Sequence, residues 1–293
     1  MKQPLLSPEF LRRLDQLEIV ARRPFAGRIR GEHRSVRRGH SLEFADYRNY
    51  IQGDDLRFVD WKLYARLDRL FLKLFMEEED LFVYVLLDAS HSMGLGEPPK
   101  LPFAKKVAAA LGYLALAGTH RVSIQAFDAG LRPALPLVRG RGGFPRVTSY
   151  VERVGASGGT DTRSAFTDFR RRLRGTGLVF LISDLLDRDG VLDGLKQFLA
   201  GRFDVTVLHV LSPDEEDPAF EGDWRLVDIE DGGEVPLSMT AQLLEAYGKT
   251  VRAFRGEQQA ICQRLGFRYL PIRSDVTLEG MFLHRFREQG VLR

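Results

Sequence analysis

Asp88, Ser90 and Ser92 stand at alternate positions in Asp88-Ala89-Ser90-His91-Ser92, directly after the apolar run Leu81 to Leu87. Two further oxygen-bearing segments lie downstream. Thr160 follows Ser157-Gly158-Gly159, and Ser183-Asp184 closes the apolar run that begins at Leu178. Two carboxylates (Asp88, Asp184) and three hydroxyls (Ser90, Ser92, Thr160), with no sulfur and no required imidazole, form a hard oxygen set. Such a set suits Mg²⁺ or Mn²⁺, with Ca²⁺ as a further candidate. In a turn at a strand end, Asp-x-Ser-x-Ser puts alternate side chains on one side, so three oxygens can meet one ion. Gly158 and Gly159 allow the second loop to come close. Each segment also has a plainer reading. Asp88 and its serines could cap a following helix, Asp184 could be a turn residue, His91 a spacer, and Asp161 a helix-start charge.

The elements that must position these residues are legible as alternating strands and helices. Leu81 to Asp88, Arg121 to Phe127, Leu178 to Asp184, Phe203 to Leu211 and Phe267 to Ile272 read as strands, with a hairpin through Leu135 and Val138 after the second. Helices are expected at 103–118, 145–154, 164–174, about 190–200, 239–265 and 277–288. Residues 4–22 also read as a helix, from Leu11, Leu14, Leu17 and Val20. Strands alternating with helices of ten or more residues predict an α/β fold, a doubly wound and mainly parallel sheet. Ligands of such sheets bind outside the carboxyl ends of the strands, where the three oxygen-bearing segments fall. The expected organisation is residues 1–79 as a basic arm and small accessory subdomain, then 80–293 as the α/β domain, with an insert at about 212–239.

Asp88-x-Ser90-x-Ser92, Thr160 and Asp184, in that order and at those strand ends, resemble the metal-ion-dependent adhesion site of von Willebrand factor A domains. The resemblance covers roughly residues 80–212 and implies that fold. It also implies that Ser90, Ser92 and Thr160 bind the ion directly, while Asp88 and Asp184 act directly or through water. Upstream, Gly53-Asp54-Asp55-Leu56-Arg57-Phe58-Val59-Asp60-Trp61-Lys62 with Ala65-Arg66 resembles the signature of the bacterial domain-of-unknown-function family fifty-eight (DUF58). Membership implies a MoxR-type AAA+ ATPase as partner. Many members begin with membrane helices, and this chain resembles the short soluble form. An ion held mostly by neutral hydroxyls keeps much of its charge and favours a carboxylate from another protein. The expected role is therefore a metal-dependent binding module or adaptor, not an enzyme.

Composition and motifs narrow the rivals. The chain has 293 residues, 44% of them hydrophobic, enough for a sizeable core in one large or two modest domains. Cys262 is the sole cysteine, so no intrachain disulfide forms, and a reducing, cytoplasmic setting is expected. No apolar run reaches the roughly 18–20 residues a membrane helix needs, so no membrane partner is expected. Nine arginines (12, 13, 22, 23, 28, 30, 34, 37, 38) crowd the start of the chain. They offer a nucleic-acid-binding alternative, but no aromatic interleaving accompanies them. A metal-dependent phosphoester hydrolase is the enzymatic alternative; such hydrolases use a second aspartate where this chain has Ser90. A serine hydrolase would want Gly-x-Ser-x-Gly at a strand-helix elbow; neither Ser90 nor Ser92 has those flanks, and a P-loop and His-Glu-x-x-His are missing from the sequence. In the Gly53–Lys62 segment, the charges are expected to form a buried ion network that anchors the accessory subdomain, with a partner-docking surface as the alternative. Phe44, Tyr47, Tyr50, Phe58 and Trp61 are expected in the accessory core.

Overall fold

Apolar runs bounded by glycine, proline or charge become the strands of a central sheet, and the amphipathic stretches between them become its covering helices. The computed structural model describes residues 4–22, 43–76, 81–187, 190–199, 203–218, 222–227 and 233–293. The chain divides into two compact units, Met1–Arg23 with Leu81–Arg293, and Pro24–Asp80. In chain order the elements are α1 (Pro8–Leu14), β1 (Glu43–Asn49), α2 (Trp61–Leu67), β2 (Phe71–Met76), β3 (Phe82–Asp88), α3 (Lys100–Ala117), β4 (Arg121–Phe127) and β5 (Val138–Arg139). They continue with α4 (Phe144–Arg153), α5 (Thr162–Arg172), β6 (Gly177–Ser183), α6 (Val191–Lys196), β7 (Phe203–Leu211), α7 (Pro213–Glu216), β8 (Gly222–Val227), β9 (Glu234–Met239), α8 (Ala241–Leu265) and β10 (Arg268–Arg273).

The larger unit is built on a six-stranded sheet in the order β10-β7-β6-β3-β4-β5. Every neighbouring pair is parallel except the edge pair β4 and β5. The expected doubly wound, mainly parallel sheet is what forms. Counted within the sheet, the order is 3-2-1-4-5-6, so the winding reverses between β3 and β6. That reversal opens a crevice at the carboxyl ends of those two strands. β6 and β7 are buried along their whole lengths, as strands covered on both faces must be. Gly177 begins β6 opposite Phe82. A Cβ there would come within 1.9 Å of the Phe82 carbonyl oxygen, so only glycine admits this pairing. One face of the sheet is filled by Phe127, Phe166, Phe169, Phe198 and their aliphatic neighbours. The insert is a hairpin of β8 and β9.

Three sequence expectations change here. The helix read over 4–22 spans only Pro8–Leu14, begun by Ser7, whose hydroxyl accepts from Phe10 N at 3.1 Å. Beyond it the main chain bonds to the C-terminal segment, Glu18 N to Arg293 O and Val20 N to Val291 O. Tertiary pairing thus overrides the leucine spacing. Phe10 packs edge-on against Phe282, so these first residues belong with the α/β unit, whereas the sequence grouped them with the accessory segment. The terminal helix expected at 277–288 is mostly a π-helical turn, Gly280–Arg285, followed by Phe286–Glu288.

The smaller unit pairs β1 with β2 antiparallel. Its ion pairs are local: Arg48–Asp54 at 3.0 Å, Arg57–Asp55 at 2.6 Å and Lys73–Asp60 at 3.0 Å. Asp60 also caps α2 by accepting from Lys62 N and Leu63 N. The aromatic core expected here does not form as read. Trp61 is 57% exposed, and Tyr47 and Phe58 are also exposed. Among the described residues, the buried apolar side chains here are Val59 and Leu72, with Tyr50 and Leu70 against them. A two-stranded sheet has too little area to cover so many rings. The side chain of Phe44 and most of the arginine-rich stretch, residues 23–42, lie outside the described residues.

Candidate metal site at the strand switch point

β3 ends on Asp88, which is fully buried, as is Ser90; Ser92 is 9% exposed. The carboxylate of Asp88 organises the site. Its Oδ1 accepts from Ser90 N at 3.0 Å and from Ser90 Oγ at 2.7 Å. Its Oδ2 accepts from Ser183 Oγ at 2.6 Å, across the crevice from the end of β6. Ser183 Oγ in turn accepts from Leu185 N at 3.0 Å. The hydroxyls of Ser90 and Ser92 lie 3.1 Å apart. Although Ser90 precedes the short helix His91–Gly94, its side chain makes no capping bond, so the plain capping reading does not account for these serines. Burial pushes Asp88 up to about 7 and the charge of Asp184 adds to the rise, while bonds from Ser183 and Ser90 oppose it. The price of so buried a carboxylate is offset by three donated hydrogen bonds.

The second loop is tied to the first by main chain. Ser157 N donates to Ala89 O at 2.9 Å, and His91 N donates to Gly158 O at 3.0 Å. Gly158 holds φ +76°, a left-handed conformation that glycine adopts without penalty. Arg132 pins both loops: its Nη2 donates to Ala89 O at 3.1 Å, to Ser157 Oγ at 2.7 Å and to Asp128 Oδ2 at 2.8 Å. Thr160 is half-buried on this loop. Among the described residues its hydroxyl makes no hydrogen bond to the Asp88 cluster. Asp161 accepts from Ser164 N at 2.8 Å and so caps α5, the role expected for it.

Asp184 is 2% exposed at the end of β6, and Leu185 after it turns the chain with φ +57°, a conformation a leucine rarely holds. Asp184 does not bond to the serines. Its Oδ2 accepts from Lys100 Nζ at 2.8 Å. Lys100, the first residue of α3, is wholly buried and also pairs with Glu215 of α7. Burial opposes the Lys100 charge, but Asp184 and Glu215 hold its pKa above the ordinary value. Sequence reading found Asp88, Ser90, Ser92, Thr160 and Asp184 but missed Lys100, Glu215, Arg132 and the bridging role of Ser183. Lysine at a helix start and arginine in a loop look like surface residues; only Ser183, beside Asp184 at a strand end, stood in a segment already singled out.

Among the described residues, no group of three or more His, Cys, Asp or Glu is placed to hold a metal ion. Hydroxyls would have to supply the remaining ligands. The Ser90–Ser92 pair backed by Asp88 fits that demand, because hard cations take neutral and anionic oxygens alike. The histidine nearest in the sheet, His209, faces Ser183 in register and is engaged by Tyr269, Nδ1 to OH at 2.6 Å. Burial pulls it down to about 4, so it is neutral at pH 7.

The doubly wound sheet, with the Asp-x-Ser-x-Ser turn at its switch point, is an α/β domain of the arrangement that the resemblance to von Willebrand factor A domains implies. The chain belongs to the family described as protein of unknown function DUF58, whose model matches residues 46–257. Among solved structures it is similar to an aerotolerance-related membrane protein from Bacteroides fragilis, with 18% identity, 72% of this chain and 98% of that chain covered, and a TM-score of 0.48. It is also similar to the conserved hypothetical protein BatB from Bacteroides thetaiotaomicron, with 17% identity, 71% and 98% covered, and a TM-score of 0.47. No curated protein matches the chain. No helix among the described residues is long and apolar enough to cross a membrane.

Proposed function

We propose that the α/β unit is a metal-dependent protein-binding module. It would serve as an adaptor for a MoxR-type AAA+ ATPase in complex assembly or client remodelling. The observation that supports this most is the convergence of the Ser90 and Ser92 hydroxyls, 3.1 Å apart and backed by Asp88, at the switch point of the sheet. Ser90, Ser92 and Thr160 would hold Mg²⁺, Mn²⁺ or Ca²⁺ directly. Asp88 would orient the serines, and Asp184, held by Lys100, would act through water. A bound ion would supply a positive charge able to attract a partner's carboxylate. Ser183 and Arg132 keep the loops in register for that contact. The hydroxyls bond to Asp88 and to each other rather than to a histidine, an arrangement for holding an ion rather than for nucleophilic attack.

Titration of Mg²⁺ and Mn²⁺ into metal-stripped protein, beside Asp88→Ala and Ser90→Ala, tests the reading. Saturable binding in the native protein, lost in both variants, is expected. It should be matched by a metal-dependent rise in Tm, since a ligand of the folded state stabilises it. Co-purification of the ATPase should then fall when a chelator is added. Partner complexes indifferent to both substitutions would overturn the proposal. Metal-stimulated phosphoester turnover lost in Asp88→Ala would replace it with the hydrolase reading.

A further inference from the structure

Lysine is almost never fully buried unless paired, yet Lys100 has no exposed surface and lies between two carboxylates that close different strands. Asp184 follows β6 and Glu215 lies in α7 after β7. Glu215 Oε2 also accepts from Ser212 N at 2.9 Å, so this carboxylate ties α7 to the end of its strand. The ammonium therefore fastens α3, the β6 loop and the β7 loop at one point, on the rim of the candidate metal site. It is a cation already in place, bound to a carboxylate oxygen that would otherwise offer its full charge to an ion or to the ion's water.

Resting on the metal reading, we propose that Lys100 stands in for a divalent ion at Asp184: it keeps the site assembled without metal and holds the metal affinity low. Affinity of an oxygen site for a hard cation follows the charge its ligands offer and the rigidity of the site. With Asp184 held by Lys100, which it shares with Glu215, Asp88 is the carboxylate left to back the serines. Weak intrinsic binding makes occupancy depend on the partner's carboxylate, so metal and partner bind together.

The test is calorimetric titration of Mn²⁺ into the full chain and into Lys100→Met, with Lys106→Met as a control. Lys106 is an exposed lysine on the same helix, and its loss changes the charge equally. Lys100→Met should bind Mn²⁺ about tenfold more tightly than the native chain, while Lys106→Met should match the native chain. Loss of the ammonium leaves two carboxylates unpaired, which can unfold the metal-free variant; a thermal melt with and without Mn²⁺ covers that case. A Lys100→Met chain that folds only with Mn²⁺ supports the proposal, and one that stays unfolded at saturating Mn²⁺ overturns it. Equal or weaker binding in Lys100→Met, or equal tightening in Lys106→Met, overturns it too. If the native chain and Lys100→Met bind Mn²⁺ alike, this inference falls and the metal reading stands. If neither binds, both fall.

Discussion

At the scale of single residues, the Asp88 side chain ties its own turn to the end of β6. Ser90 and Ser183 donate to opposite oxygens of one buried carboxylate, and Ser183 is at once an acceptor for Leu185 N. Ser183→Ala should therefore leave a carboxylate oxygen and a main-chain amide without their partner. The expected loss is about 1–3 kcal/mol, measured by urea unfolding. Unchanged stability would mean that water replaces the hydroxyl and that the link across the crevice is dispensable.

At the scale of elements, the smaller unit depends on Asp60 more than on a core. Bonds from Leu63 N, Lys73 and Tyr47 hold this carboxylate at about 2, with partial burial acting against them. A carboxyl depressed in the folded state stabilises above its unfolded value, near 3.8, and that stability is lost as pH falls through the folded value. Acid titration should thus loosen α2 between about pH 4 and 2. Trp61 fluorescence, read in a Trp224→Phe background, should report the change, and Asp60→Asn should remove it. Superimposable titrations of the two proteins would refute this assignment. The motif Gly-Asp-Asp-x-Arg followed by Asp-Trp-Lys was visible in the sequence, but its use as a local ion network and helix cap needed coordinates.

At the scale of the whole molecule, the α/β unit is closed by the start of its own chain. Phe10 and Leu14 are buried, Tyr113 donates to Asp15 at 2.7 Å, and Arg22 N donates to Asp204 at 2.7 Å. The two bonds join residues 98 and 182 positions apart. Phe10→Ala should cost about 3–5 kcal/mol, the range for a buried phenylalanine, seen as a lower thermal midpoint. A shift within error would show that the N-terminal helix is an ornament on the fold rather than part of it.

By itself the sequence determined the alternation of strand and helix, the parallel sheet that follows from it, and the strand ends on which Asp88, Ser90, Ser92 and Asp184 fall. Those features are local: apolar runs of strand length, glycine and proline punctuation, and alternate polar residues in a turn. Tertiary structure alone decided which loops meet. Asp88 and Ser183 are 95 positions apart, and Lys100 and Glu215 are 115 apart. The same is true of the N-terminal segment, whose leucine spacing predicted a longer helix than its docking allows, and of Trp61, whose apolar ring predicted burial that a two-stranded sheet cannot provide. Periodicity along a chain reports which face of an element is apolar; it carries no information about which distant side chain will neutralise a buried charge.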